Sequence, residues 1–169
     1  MSNSNYTADY FKKLLNMKPH IEGGYYNESF SSEDKIIIPC QNEKKHERVQ
    51  WTSIYFLLEK NYVSNFHRLK SDEMWYFHAG NSLTIYIIAP DGELIIKNLG
   101  LDIDNGDEPQ VLVPKDHVFG SAMNCEGFAL VGCMVSPGFD FQDFEIFKRD
   151  ELVKEYPQHE EIITRLTRD

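Results

Sequence analysis

A run of short β-type segments separated by turn residues constrains the fold of this chain more than any other feature. Asp91-Gly92 is a strong hairpin signal between two of these segments. Turns recur at intervals of about 8–12 residues without intervening helices, which predicts an antiparallel sandwich or barrel. The predicted strands are Gly24–Phe30, Gln50–Glu59, Ser64–Leu69, Glu73–Ala79, Leu83–Ala89, Glu93–Leu99, Gln110–Val113, Phe119–Met123 and Phe128–Val135.

Helical patterns occur at the two ends of the chain. Thr7 is the predicted N-cap of a helix over Asp9–Asn16, in which aromatic and leucine side chains form one apolar stripe. Asp150–Glu155 and His159–Leu166 predict two short C-terminal helices. The polar stretch Glu33–Arg48 predicts a loop, in which Ile36–Ile38 is the one segment compatible with brief strand pairing.

The length of 169 residues is enough for one domain with a core and short for two. We expect a barrel at about residues 22–147 and a helical tail at 150–167. Eleven Phe and nine Tyr favour a β-rich core or an aromatic-lined pocket. A formal net charge of -10 repels phosphate backbones and anionic lipid headgroups, so we expect neither nucleic acid nor a membrane as a partner.

The cysteines and the N-terminus point to a reducing compartment. Cys40, Cys125 and Cys133 are odd in number and form no Cys-x-x-Cys pair, which argues against a disulfide framework and a cysteine zinc site. The first 16 residues lack the basic and apolar regions of a signal peptide. The sequence therefore predicts a soluble, cytoplasmic protein with reduced thiols.

The stretch Phe66–Gly80 holds the densest set of chemically capable side chains. Strand alternation places Glu73, Trp75 and Phe77 on one face. If the predicted strands Ser64–Leu69 and Glu73–Ala79 pair as a hairpin, His67 and Glu73 approach each other across it. A histidine–carboxylate pair over an aromatic floor is what a general base or a metal site needs.

The spacing of His67, Leu69 and Glu73 resembles the first motif of metal-binding cupins, which reads His-x-His followed by Glu. The segment that ends at Phe119 resembles the second motif, which ends in a histidine. Leu69 and Phe119 therefore stand where metal-binding cupins carry ligands. A stable metal site usually offers three or more protein ligands. We expect no metal or other cofactor, and any metal would have only His67 and Glu73.

Further motifs extend the resemblance over about residues 10–167. Together they are similar to the DUF985 (Cupin_5) family of the RmlC-like cupin superfamily. That resemblance implies an all-β, double-sheet antiparallel cupin (jelly-roll) barrel with an N-terminal helix and short C-terminal helices, commonly a homodimer, without a settled activity. The motifs are Pro19–Glu28, Ser53–Leu58, Phe66–Arg68, Asp72–Trp75, Val131–Cys133 and Pro137–Phe141.

The fold neighbours of that family include the dTDP-sugar 3,5-epimerases. Glu22–Phe30 looks like one of their substrate-binding segments and keeps its glutamate as Glu28. Gly23 replaces the phosphate-binding arginine, which argues against recognition of a nucleotide sugar. His67 is similar in place to their catalytic base.

We therefore expect the barrel to bind a small polar, sugar-like metabolite. The most concrete enzymatic version is a metal-independent epimerase or isomerase in which His67 is the base and Glu73 orients it. A non-catalytic ligand-binding or sensor protein is the alternative, and a metal-dependent cupin enzyme ranks third. The predicted ligand-binding residues are Glu28, Arg68, Trp75, Phe77, Tyr25, Tyr55 and Phe119.

Several of these residues also have a purely structural interpretation. His67 fits a buried, hydrogen-bonded core histidine as well as it fits a base. Arg68 and Asp72 would most simply form a surface or interface pair. Trp75, Tyr25, Tyr55 and Phe77 are of a type that more often fills a core than stacks on a ligand.

Overall fold

The computed structural model describes residues 6–38 and 46–168. Thirteen strands occur in this part of the chain, and all pairs within the sheets are antiparallel. The strands are β1 (Lys18–Pro19), β2 (Tyr25–Ser31), β3 (Lys35–Ile38), β4 (His46–Val49), β5 (Thr52–Glu59), β6 (Val63–Arg68), β7 (Asp72–Gly80), β8 (Leu83–Ile88), β9 (Leu94–Leu99), β10 (Gln110–Val113), β11 (Val118–Met123), β12 (Phe128–Ser136) and β13 (Glu145–Ile146). A six-stranded sheet has the order β1-β2-β5-β12-β7-β10, and a five-stranded sheet has the order β13-β6-β11-β8-β9. These two sheets form the double-sheet barrel that the sequence pattern predicts.

All nine predicted strands are present, and none of their ends differs from the prediction by more than two residues. Four short strands, β1, β3, β4 and β13, were not among them.

The helices lie outside the sheets, as predicted. Helix α1 (Ala8–Leu14) begins at Thr7, whose hydroxyl accepts a hydrogen bond of 3.2 Å from the backbone N–H of Tyr10. Helices α2 (Arg149–Glu155) and α3 (Glu160–Arg165) follow the barrel. No helix in the described part of the chain is long and apolar enough to cross a membrane.

Three apolar layers hold the structure together. The central layer lies between the two sheets and contains Phe56, Trp75, Ile85 and Phe119, among others. A second layer joins the outer face of the five-stranded sheet to the C-terminal helices. The third packs α1 and neighbouring aromatic residues on the outer face of the six-stranded sheet. Burial of large apolar side chains on both faces of each sheet is the main stabilising contribution.

The predicted hairpin between β6 and β7 is wrong. β6 pairs with β11 and β13, whereas β7 pairs with β10 and β12 in the other sheet. The three residues between the two strands carry the chain across the barrel. Strands adjacent in sequence usually pair, but here each face of the barrel needs its own set of strands. His67 and Glu73 therefore stand on opposite sheets.

The β3–β4 hairpin shows that the polar stretch at residues 33–48 is not entirely loop. Lys35 to Ile38 pair with Val49 to His46. Cys40 lies outside the described residues. Cys125 is exposed and Cys133 is buried, and both are free thiols.

Candidate functional site

A cavity of about 600 Å³ opens between the two sheets. Its size is within the range of small-molecule sites. Aromatic and aliphatic side chains form much of the wall, together with the hydroxyls of Ser29, Ser31, Thr52 and Ser53. The histidine and carboxylate side chains on the wall are His20, Glu22, Glu28, His67, Glu73 and Asp140.

Glu22, rather than Glu73, is the carboxylate that pairs with His67. The Oε2 atom of Glu22 lies 3.1 Å from Nε2 of His67. Both side chains are buried, with residue exposures of 6% and 2%. No ion pair joins His67 to Glu73, because β6 and β7 belong to different sheets. The predicted His67–Glu73 pair is therefore replaced by a pair with a residue from the turn between β1 and β2.

The contacts of His67 fix the tautomer of its ring. Nδ1 lies 2.7 Å from the backbone carbonyl oxygen of Asn65. Because a carbonyl oxygen only accepts hydrogen bonds, Nδ1 carries a proton. Burial lowers the pKa of His67 to about 4, although the bond to Asn65 acts in the opposite direction. The neutral ring therefore presents an unprotonated Nε2 to Glu22.

One proton is consequently shared between Glu22 and His67. The unprotonated Nε2 and an ionised carboxylate would both be acceptors, and two acceptors cannot form a hydrogen bond. Burial raises the pKa of Glu22, which favours a proton on its Oε2 atom. This proton can reside on Glu22, or it can transfer to His67 and leave a carboxylate beside an imidazolium.

His20 adds a second acceptor next to the same carboxyl group. Its Nδ1 atom accepts a hydrogen bond of 3.3 Å from the backbone N–H of Glu22 and lies 3.5 Å from Glu22 Oε2. Burial lowers the pKa of His20, so this ring also favours the neutral form. Because the single lone pair of this Nδ1 atom already accepts the backbone N–H, Nε2 of His67 is the imidazole nitrogen placed to receive the proton of Glu22.

A tight turn places Glu22 in this position. The backbone carbonyl of Glu22 accepts a 2.8 Å hydrogen bond from the N–H of Asn65, and its Oε1 atom accepts one of 2.8 Å from the Ser64 hydroxyl. Gly23, the next residue, has a φ of +114°. A Cβ atom at this position would overlap the carbonyl oxygen of Val63. A side chain such as arginine therefore has no room at position 23.

Glu73 supplies a second buried proton, from the opposite side of the barrel. It lies on β7, and its Oε2 atom is buried without a hydrogen-bond partner. Burial and the charge of Glu22 raise the pKa of Glu73 to about 8, against opposing interactions with Cys133 and Trp75. At neutral pH, Glu73 is a carboxylic acid that can donate its proton.

The free energy of unfolding of a Glu73→Gln variant should depend on pH less steeply than that of the wild type. The pKa of Glu73 is raised in the folded protein from its ordinary value of 4.5 to about 8. Between these values the folded state binds more protons than the unfolded state, so stability falls as the pH rises. We expect urea denaturation to show a slope in the free energy of unfolding of about -1.4 kcal/mol per pH unit that the variant lacks.

The comparison is best made between pH 6.5 and about 8. Below pH 6.5 the lowered pKa of His67 contributes a slope of the opposite sign. The substitution can shift the whole curve through altered packing, so the slope rather than the absolute stability is the readout. Parallel curves for the wild type and the variant would show that Glu73 does not hold a proton in this range.

Among the residues predicted from sequence, His67, Glu73 and Glu28 lie on the cavity wall. Tyr25 and Tyr55 do not, because they pack in the outer layer beside α1. Their strand neighbours Tyr26 and Ile54 face the cavity instead. Strand alternation explains why neighbouring residues face opposite sides of the sheet. Because each of these strands carries apolar residues on both faces, the sequence pattern did not show which face lines the cavity.

The remaining predicted ligand contacts also lie away from the wall. Trp75, Phe77 and Phe119 belong to the central apolar layer, where Phe119 packs against His67 with ring centroids 4.1 Å apart. Arg68 faces outward and pairs with Glu145 on β13 at 2.7 Å. Its partner is thus Glu145 rather than the predicted Asp72.

An ion-pair cluster lies behind one part of the wall. Arg48, on β4, is 9% exposed and lies 3.4 Å from Asp140 and 3.3 Å from Asp143. The same segment carries Phe139 and Phe141 on the cavity wall. Arg48 therefore links the β3–β4 hairpin to this segment and compensates the charge of Asp140.

The side chains at the cupin metal positions do not fit a metal centre. Leu69 lies on the cavity wall and Phe119 lies under His67, and neither side chain has a lone pair to donate. Within residues 6–38 and 46–168, no group of three or more His, Cys, Asp or Glu side chains is arranged to hold a metal ion.

Comparison with known proteins agrees with this architecture. Residues 9–147 match the family Cupin_5, described as cupin superfamily (DUF985). The crystal structure of SO0799 from Shewanella oneidensis is 53% identical, with a TM-score of 0.86, over 96% of this chain and 98% of that one. A hypothetical protein from Leishmania major is 37% identical, with a TM-score of 0.89, over 97% of this chain and all of that one (100%).

The Saccharomyces cerevisiae protein YML079W, which is uncharacterised, is 30% identical over 147 residues. The match covers 80% of this chain and 72% of the yeast protein. Both the family match and these relatives span the barrel and the cavity described above. The chain belongs to the Cupin_5 (DUF985) family of the cupin superfamily.

Proposed function

We propose that the cavity binds a small polar metabolite and moves a proton to and from it, as a metal-independent epimerase or isomerase does. One observation carries this proposal. Two buried proton-holding groups, the Glu22–His67 pair and Glu73, line the same cavity. His67 and Glu73 come from strands of different sheets, so a ligand between the sheets would have one such group on each side.

The chemistry begins with the shared proton. Its transfer to Nε2 of His67 leaves Glu22 as a carboxylate, which can accept a proton from a ligand carbon next to a carbonyl group. The electron pair of that C–H bond is then held as an enolate. Glu22 is thus the base, and His67 is the group that stabilises its ionised form.

Glu73 completes the reaction from the other side. Its O–H donates a proton to the opposite face of the ligand carbon, which inverts the centre and leaves Glu73 as a carboxylate. The ligand has lost one proton and gained one. Exchange with water then removes the proton from Glu22 and returns one to Glu73. Acid–base sites of this kind typically combine one group that accepts a proton with a second group that donates one.

The rest of the wall suits a ligand with hydroxyl groups and one flat face. Serine and threonine hydroxyls can exchange hydrogen bonds with a polyol. Tyr26 offers aromatic surface on the same wall. This combination supports the sugar-like class of ligand expected from the sequence.

A non-catalytic binding or sensor protein is the second candidate. The observation in its favour is that the unprotonated Nε2 of His67 already contacts Glu22 and is not free to face a ligand. In that case the pair would be a fixed polar element of the wall, and ligand binding would occur without turnover.

Solvent-deuterium exchange separates the two candidates. The wild-type protein is incubated in D₂O with aldoses and ketoses, and NMR follows both ligand binding and loss of the signal of the hydrogen next to the carbonyl. We expect exchange in a bound sugar at a rate at least about 100-fold above that without protein. The exchange should persist after treatment with a chelator.

A His67→Asn variant provides the matched control. Its side-chain amide can still donate to the carbonyl of Asn65, but it leaves nothing to receive the proton of Glu22. We expect this variant to bind the sugar and to exchange it at the background rate. Binding without exchange by the wild-type protein would contradict catalysis and favour the sensor. Exchange that stops with the chelator and returns with a metal ion would favour the metal-dependent enzyme.

A further inference from the structure

We infer that the cavity selects a ligand that carries a protonated amine and rejects anionic ligands. The inference rests on the proposed function, because it names the class of metabolite that the same cavity would bind. Two features lead to it: the described wall carries four carboxyl groups and no Lys or Arg, and one of these carboxyl groups, that of Glu73, has a buried Oε2 atom without a hydrogen-bond partner.

Apart from two histidines, the ionisable acid–base side chains of the wall are all carboxyl groups, of which Glu22 and Glu73 favour the protonated form when no ligand is bound. Four carboxyl groups, those of Glu22, Glu28, Glu73 and Asp140, line the cavity. None of the described residues on this wall is Lys or Arg. Arg48 stands behind Asp140 and compensates that carboxylate alone among the four. A phosphate or carboxylate ligand would therefore find no cation on the described wall, whereas an ammonium group would find several acceptors.

Glu73 is the carboxyl group that most needs a partner. It is 6% exposed, and its Oε2 atom has no hydrogen bond. A buried polar atom without a partner destabilises the folded protein, because it has lost its hydrogen bonds to water. An ammonium group donates up to three hydrogen bonds, and its charge would allow Glu73 to ionise. The resulting charge-assisted bond is stronger than a bond between neutral groups.

The aromatic part of the wall agrees with a cationic ligand. Phe139, Phe141 and Phe144 contact one another edge-on, with ring centroids between 5.0 and 6.3 Å apart. All three line the cavity. The faces of aromatic rings attract cations and repel anions through their quadrupole. The aromatic side chains and the carboxyl groups thus favour the same sign of charge.

Three matched hexoses test the inference. D-glucosamine carries an ammonium group, D-glucose is uncharged and D-glucuronate carries a carboxylate on an otherwise similar ring. Calorimetric titration at pH 7 gives the dissociation constants, and the His67 ring signals in NMR locate binding in the cavity. We expect glucosamine to bind at least about 10-fold more tightly than glucose, and glucuronate at least about 10-fold more weakly.

Two variants assign the preference to a residue. Glu73→Gln should bring the affinities for glucosamine and glucose to within about 3-fold of each other. Glu161→Gln removes a carboxyl group from the exposed surface of α3 and should leave the 10-fold preference intact. A preference that Glu161→Gln also abolishes would arise from the net charge of the protein and would overturn the inference.

The possible failures are distinguishable. Equal or tighter binding of glucuronate, with shifts of the His67 signals, would overturn the inference about charge and leave the proposed function standing. Unchanged His67 signals with all three sugars up to about 50 mM would contradict both, since no sugar-like ligand would then occupy the cavity.

Discussion

A Glu22→Gln variant is expected to remain folded and to lose at least about 100-fold of the rate at which a bound sugar exchanges its proton. Glutamine has nearly the shape of glutamic acid. Its amide oxygen can accept the hydrogen bond from Ser64, and its NH₂ group can donate to Nε2 of His67. The contacts of Glu22 are therefore kept, whereas its ability to release and accept a proton is removed.

The measurement pairs kinetics with stability. The D₂O exchange assay gives the rate, and urea denaturation shows that the free energy of unfolding changes by less than about 1.5 kcal/mol. The ¹⁵N shifts of His67 report without any ligand whether Nδ1 still carries the proton. A folded variant that exchanges at the wild-type rate would show that Glu22 is not the base.

Glu22→Ala separates the structural part of the role. Alanine leaves the Ser64 hydroxyl and Nε2 of His67 without a partner in a buried site. Each unsatisfied buried group costs about 1–3 kcal/mol, so this variant should be clearly less stable than Glu22→Gln. Equal free energies of unfolding for the two variants would indicate that water satisfies the Ser64 hydroxyl and Nε2 of His67 as well as the carboxyl group does.

A Gly23→Ala variant should lose about 3 kcal/mol or more of stability. Two costs add at this position. The φ of +114° is unfavourable for a residue with a side chain, and the new Cβ would overlap the backbone carbonyl oxygen of Val63. Backbone atoms cannot move aside as a flexible side chain can, so the turn that carries Glu22 would have to shift.

Gly106→Ala is the matched control. Gly106 also has a positive φ, +90°, but a Cβ atom there would have no neighbour within 4 Å. This variant should lose only about 1 kcal/mol, the cost of the backbone conformation alone. Urea denaturation of both variants therefore isolates the effect of the overlap. Similar losses in the two would mean that the turn at Gly23 relaxes freely.

The fold was largely predictable from sequence, because its signals are local. Strand alternation, the Asp91-Gly92 turn and the Thr7 cap each act over a few residues, and each is found where predicted. The pairing of strands was less predictable. The three residues between β6 and β7 are compatible with a hairpin, and the crossing to the other sheet is decided by the packing of the whole barrel.

The site was predictable in part. His67, Glu73 and Glu28 were identified and lie on the cavity wall. His20 and Glu22 were missed, although both lie in Pro19–Glu28, one of the motifs that carries the family resemblance. Within that motif, Tyr25 and Glu28 were predicted to bind the ligand, whereas His20 and Glu22 were assigned no role. Nothing local indicates that a carboxyl group in a turn before β2 will reach a histidine on β6.

The chain crosses from one sheet to the other between β6 and β7, and this crossing affects how the distance between His67 and Glu73 is fixed. No backbone hydrogen bond joins these two strands, so the ladders of the sheets do not fix the distance between His67 and Glu73. The contact between them runs through aromatic rings: His67 lies on Phe119, and Phe119 meets Trp75, two residues from Glu73 on β7. The rings of the central layer thus act as a spacer, and the width of the cavity between His67 and Glu73 is set by the volume of the core.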